Sequence, residues 1–236
     1  MPGLLHKYTN RALLLVTSAC AIHCRYCFRR NFPYTEARAE DHQFQAALDY
    51  LRAHPEVDEV ILSGGDPLVL TDRRLAELVA ALGSLPALRR LRIHTRLPVV
   101  LPQRFTPELL SALTCSRLDP VMVIHANHPR EISPQVRAAL ATAKAAGFTL
   151  LNQAVLLKGV NDAPDTLTAL SEELFEAGVL PYYLHLLDRV EGAGHFEVSE
   201  ARARALHREL RARLPGYLVP RLVREQAHAA SKLPLV

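Results

Sequence analysis

Ala12-Leu-Leu-Leu-Val-Thr-Ser18 runs straight into Ala19-Cys20-Ala-Ile-His-Cys24-Arg-Tyr-Cys27. The first part is a short apolar run of strand length, and the second is a polar loop carrying three thiols within eight residues. The same order recurs down the chain. Apolar runs at 12–18, 59–63, 90–95, 120–125, 149–157 and 181–187 alternate with amphipathic 3.6-period stretches at 41–53, 72–82, 107–113, 134–146, 166–177 and 199–214. Thr71 and Ser199 stand where N-caps belong, and Gly147 and Gly178 stand where helices stop. Six strand–helix alternations predict an α/β fold with a parallel sheet and right-handed crossovers. The position of the reactive residues then separates a doubly wound sheet from a barrel. Cysteines follow the first run, Gly64-Gly65-Asp66 the second, and His94, His125, Asn152-Gln153 and Asp188 close the later ones. Side chains gathered at the C-terminal ends of successive strands mark the active face of a barrel. Six units rather than eight predict a partial (β/α)6 TIM-like barrel over 1–214, open on one side. Residues 215–236 are apolar in character, fit no seventh unit, and read as a closing strand and loop over the mouth.

Composition removes several function classes. The chain has 236 residues, 49% hydrophobic and 22% charged, enough for a substantial core and unlike a disordered chain. No apolar run approaches the ~18 residues of a membrane span, so no membrane partner is expected. Met1-Pro2-Gly3-Leu4-Leu5-His6-Lys7 lacks the apolar core of a secretory signal, which predicts a cytoplasmic location. The net charge is +4 without a basic block, so no nucleic acid partner is expected. Of 28 basic residues only Lys7, Lys144, Lys158 and Lys232 are lysines, so each lysine invites a question.

The thiols carry the chemistry. Cys20, Cys24 and Cys27 have the spacing C-x3-C-x2-C, and Cys115 stands alone. This is too few and too local for a disulfide framework. Three thiolates on one loop can hold three irons of a [4Fe–4S] cube and leave the fourth iron open to a substrate or cofactor. Structural zinc, with His23 or a distant residue as fourth ligand, is the alternative, although zinc sites usually pair two such knuckles and there is no second one. Cys115 reads as a small half-buried hydrophobe.

This loop after the first strand of a partial barrel resembles the radical S-adenosylmethionine (SAM) superfamily, in which the open iron chelates SAM. Ser63-Gly64-Gly65-Asp66-Pro67 sits where that superfamily places a glycine-rich turn beside the SAM amino group. Longer stretches, among them Leu5-His6-Lys7-Tyr8, Asn127-His128-Pro129, Asn152-Gln153-Ala-Val-Leu-Leu-Lys-Gly-Val-Asn161-Asp162, Pro181-Tyr-Tyr-Leu-His-Leu-Leu-Asp188 and His195-Phe196, look like the lysine 2,3-aminomutase family. Phe28 after the third cysteine and Phe32-Pro33-Tyr34 look closest to the branch whose β-lysine is attached to elongation factor P. The resemblance implies an isomerase converting (S)-α-lysine to (R)-β-lysine with three cofactors: a [4Fe–4S] cluster, SAM and pyridoxal phosphate (PLP). It implies Lys232 as the PLP lysine, with Lys7, Tyr8, Arg11 and Gln153 around PLP, and Gly64, Gly65, Asp66, His125 and Gln153 around SAM. Arg29 matches the carboxylate-binding arginine, and Asp188 and Glu225 match the two acids that read the substrate ε-ammonium. The implied partners are L-lysine and an electron donor, and a homo-oligomer is compatible. One departure is Ala227-His228-Ala229-Ala230, where the family carries a glycine-rich turn before the PLP lysine. The competing functions are an aminomutase for another amino acid or for catabolism, and a degenerate, non-catalytic iron–sulfur protein.

Overall fold

The computed structural model describes residues 3–29, 41–226, 229 and 231–236, apart from the side chains of 41–43. Arg30, Phe32, Pro33, Tyr34, Ala227, His228 and Ala230 lie outside the described residues. Among the described residues one mixed sheet runs in chain order: β1 (Leu4–Tyr8), β2 (Arg11–Thr17), β3 (Glu59–Gly64), β4 (Arg90–Thr95), β5 (Asp119–Ile124), β6 (Thr149–Val155), β7 (Leu180–His185), β8 (Arg221–Arg224) and β9 (Leu233–Pro234). Pairing is parallel from β2 through β8 and antiparallel at both edges. β1 and β9 do not pair with each other, so the sheet is a barrel left open.

The six expected strands are all present as β2 to β7. The crossovers carry α1 (Asp41–Ala53), α2 (Asp72–Gly83), the short α3 (Leu97–Val100), α4 (Pro107–Leu113), α5 (Pro134–Ala145), α6 (Pro164–Glu176) and α7 (Glu200–Arg213). Thr71 and Ser199 cap α2 and α7 by accepting from the backbone N–H groups of Arg74 and Arg202. Gly147 and Gly178 follow α5 and α6 with φ of 94° and 78°. The C-terminal segment differs from the expectation. It supplies a seventh parallel strand, β8, paired with β7 from Tyr183↔Arg221 to His185↔Val223. Arg221-Leu-Val-Arg224 does not alternate, which is why the strand escaped the sequence pattern. β9 then folds back antiparallel on β8 as the closing strand. Among the described residues no helix is long and apolar enough to cross a membrane.

Period-2 alternation sorts the strand residues onto two faces. Leu14, Val60, Leu62, Leu91, Ile93, Met122 and Ile124 join the core with Leu75, Leu109, Leu140, Leu170 and Leu206 of the helices. Their neighbours Glu59, Ser63, Arg92, His94, His125, Gln153, Tyr183 and His185 take the other, concave face. Low on that face Arg92 grips Glu59 with Nε to Oε1 at 2.9 Å and Nη2 to Oε2 at 2.6 Å, both side chains largely buried. Removing one partner strands a buried charge, so Glu59→Gln should destabilise the fold by about 3–5 kcal/mol in denaturant titration. A loss under about 1 kcal/mol would show the pair to be solvated.

Candidate active site

The cysteine loop is fixed by main chain. Gly65 N donates to Thr17 O at 2.7 Å, and Asp66 N donates to Ala19 O at 2.8 Å. The contact is so close that a Cβ on Gly64 would lie 2.3 Å from Thr17 O and one on Gly65 2.1 Å from Ala19 O. Gly64 also has φ of 120°, which side-chain-bearing residues rarely adopt. The Gly-Gly turn is therefore required where β3 meets the start of the loop. Asp66 secures the other side: Oδ1 accepts from Thr95 Oγ1 at 2.7 Å and Leu68 N at 3.1 Å, and Oδ2 accepts from Arg96 N at 2.7 Å. Both carboxylate oxygens thus hold the β3 and β4 ends together.

Cys20, Cys24 and Cys27 are half-buried and unbridged on this loop, and Cys27 N donates to Cys24 O at 3.1 Å. Burial pushes the Cys20 thiol up, and the negative fields of Asp66, Cys27 and Cys24 add to it. Thiolates crowded in this way need a cation between them. Structural zinc takes four ligands, and this loop offers three thiolates. A cube spreads three thiolates over three corners, and the donor set fits that better.

A second group forms across the opening of the barrel. Glu225, just after β8, accepts from Lys7 of β1 through Oε1 and from Lys232 through Oε2, each at 2.9 Å. The edges that do not pair by backbone are thus bridged by one carboxylate and two ammonium groups. Burial raises the Glu225 carboxyl, but the hydrogen bonds from Lys232 and Lys7 outweigh it and leave the group below its ordinary value. Burial pushes Asp188 up, Lys232 opposes this and Glu225 adds to it, so the three groups share one field. A cavity of about 370 Å³ opens beside Asp188, lined also by Leu187, Arg189, Glu191 and Glu197. Lys232 Nζ lies 5.7 Å from the centre of the Tyr183 ring. Gln153 is the register partner of Tyr183. Arg11, at the start of β2, joins this group through Tyr8, whose ring its guanidinium covers at 3.7 Å.

Between the two groups lies a row of neutral imidazoles. His94 and His125 meet edge to face at 5.7 Å, and the Nε2 atoms of His94, His125 and His185 are buried without a partner among the described residues. Burial drives His125 down to about 3, helped by Arg96, Arg29 and Lys232. Burial likewise takes His185 to about 3, with Lys232 assisting and Glu225 opposing. Orphaned nitrogens on a concave face are ready to meet a bound organic group. Arg29 stands at the β3 side, with Nη1 donating to Ser63 Oγ at 2.6 Å and Gly64 O at 2.8 Å. The loop after β7 reaches the cysteine loop, with His195 Nε2 3.2 Å from Arg25 Nη2.

The structure therefore gathers the cysteines, the glycine turn and Arg29 at one end, and Lys7, Asp188, Glu225 and Lys232 at the other. Sequence reasoning missed Arg96 and Glu131, which pair at 3.0 Å beside the cysteines. Arg96 follows β4 directly, so the end-of-strand rule could have found it. Glu131 gave no comparable signal.

An open parallel barrel with this loop defines a class, and comparison with known proteins agrees. The Radical SAM superfamily matches residues 14–170. A radical SAM methyltransferase from Sphaerobacter thermophilus shares the fold, with a TM-score of 0.60 at 16% identity over 96% of this chain and 69% of that one. The L-lysine 2,3-aminomutase of Escherichia coli (strain K12) is 53% identical over 235 residues, covering 100% of this chain and 69% of that protein. That of Haemophilus influenzae is 52% identical over 98% of this chain and 69% of its own length. The chain belongs to the L-lysine 2,3-aminomutase family of the radical SAM superfamily.

Proposed function

We propose that this chain is a radical SAM isomerase that moves the α-amino group of (S)-lysine to C3, giving (R)-β-lysine. The observation that carries the substrate reading is the meeting of Asp188, Glu225 and Lys232 at one end of the concave face, with Arg29 across it. When bound, the cluster with SAM supplies a hydrogen-abstracting radical, and PLP supplies the π-system that eases nitrogen migration.

The chain's own residues supply the rest. Cys20, Cys24 and Cys27 hold the cluster, and Gly64, Gly65, His125 and Gln153 line the SAM side while Asp66 keeps the turn in place. Lys232 attaches PLP, with Lys7, Tyr8, Arg11 and Gln153 around it. Residues 1–214 thus carry the radical chemistry and 215–236 the PLP lysine. Arg29 grips the substrate carboxylate with its planar fork. Asp188 and Glu225 take the ε-ammonium, and Glu225 already accepts from two alkylammonium groups. Neutral histidines add no positive charge beside a cationic substrate, and the buried face keeps water from the reacting carbons. We place the enzyme in the cytoplasm, with an external electron donor. We assign its product to elongation factor P, on the resemblance carried by Phe28.

Anaerobic reconstitution with iron, sulfide, SAM, PLP and lysine should yield β-lysine on chromatography. Asp188→Asn should cut lysine turnover by on the order of 10²-fold, matching ~3 kcal/mol for a charge-assisted bond. Norleucine, apolar but of similar reach, should bind far more weakly than lysine to the unaltered enzyme. Equal binding of the two, or unchanged turnover in Asp188→Asn, would defeat the lysine assignment.

A further inference from the structure

We propose that Arg96 is a positioning residue for the iron–sulfur cluster, its guanidinium bonding the Cys24 sulfur and favouring the reduced cluster. This rests on the assignment of Cys20, Cys24 and Cys27 as cluster ligands.

Arg96 is held from several directions. Its backbone N–H donates to the buried Asp66 carboxylate at 2.7 Å. Nη2 donates to Glu131 Oε2 at 3.0 Å, with the two side chains 16% and 22% exposed. Nη1 contacts the Tyr26 hydroxyl and lies 3.6 Å from Cys24 Sγ. The partners are themselves fixed, because Asn127 Nδ2 donates to Tyr26 Oη at 2.6 Å and Asn127 N donates to Glu131 Oε1 at 3.3 Å. A planar fork anchored by a carboxylate and a phenol therefore presents an N–H to one ligand sulfur.

The electrostatic consequence has a sign. Reduction adds one negative charge to a cluster already coordinated by three thiolates. Hydrogen bonds to the sulfurs and nearby positive charge stabilise that form and raise the potential. Glu131 works the other way, since its negative charge offsets the guanidinium. Removing the cation and removing the anion should thus move the equilibrium in opposite directions. A merely structural pair would give shifts of the same sign, because either change would loosen the same loop.

The experiment is an EPR-monitored redox titration of the reconstituted full chain without SAM, poised with dithionite and mediators, alongside iron counts. Arg96→Gln should shift the reduction equilibrium about tenfold toward the oxidised cluster, ~59 mV for one electron. Glu131→Gln should shift it severalfold toward the reduced cluster, and Arg96→Lys should move it less than Arg96→Gln does. Shifts of the same sign, or a change under twofold in Arg96→Gln with full iron content, would overturn the proposal. Should Arg96→Gln hold less iron, Glu131→Gln decides alone, and a shift toward the oxidised cluster, or none, overturns it. If the unaltered chain takes up no [4Fe–4S] cluster, the ligand assignment itself has failed, an outcome separate from any result with the variants.

Discussion

Replacing Cys20, Cys24 or Cys27 by alanine is expected to abolish SAM cleavage, while Cys115→Ala should leave it intact. The three loop thiols are half-buried together, and the fields of Cys24 and Cys27 act on Cys20. Cys115 lies apart, exposed after α4, with its Sγ 3.2 Å from Ala112 O. With only three thiolates available, removing one leaves two irons of the cube without protein ligands. Loss of a mere outer partner of a metal ligand costs ~10–100-fold, so loss of the ligand itself should exceed that. Iron per chain and 5′-deoxyadenosine release are the measurements. Full iron and full cleavage in Cys24→Ala, or stoichiometric zinc in the reconstituted protein, would remove the cluster from this loop.

Lys232→Ala should lose all borohydride-fixed PLP and all β-lysine formation, yet keep the iron–sulfur spectrum. A covalent attachment needs an amine held in a sheltered site. Lys232 has that shelter, half-buried against Tyr183 and Glu225. The bond from Lys7 to the other oxygen of Glu225 should keep the seam bridged in the variant. Peptide mapping of the reduced, labelled protein should place PLP on Lys232. A label on Lys7, Lys144 or Lys158 would assign the attachment elsewhere.

The frame was legible because burial writes itself into short runs. Glu59–Gly64 is buried at every position, and Arg90–Thr95 alternates strictly. The caps at Thr71 and Ser199 are local devices, so they too could be read. β1 and β8 could not, since Leu4-Leu-His-Lys-Tyr8 and Arg221-Leu-Val-Arg224 neither alternate nor form an apolar run, and their strand character comes from the neighbour they pair with. In the site, the thiol spacing announced itself within eight residues. Lys232 and Glu225 were singled out only through likeness to a family, because each alone is an ordinary charged residue. Arg96 meets Cys24 across 72 positions of chain and Glu131 across 35, separations at which no local pattern exists. Asp66 was read as a residue around SAM, whereas the structure spends both its oxygens on neighbouring donors.

The backbone anchoring of the cysteine loop has a consequence for how such a chain can diverge. Thr17 O and Ala19 O are gripped by N–H groups of the glycine turn, and no loop side chain takes part in those two bonds. Ala21, Ile22 and His23 are exposed on the same loop. Substitutions at these three positions leave the anchor untouched, while a single methyl on Gly65 would collide with it. The outer skin of the loop is thus free to drift and to acquire new contacts, and the two glycines behind it are the residues that drift cannot reach.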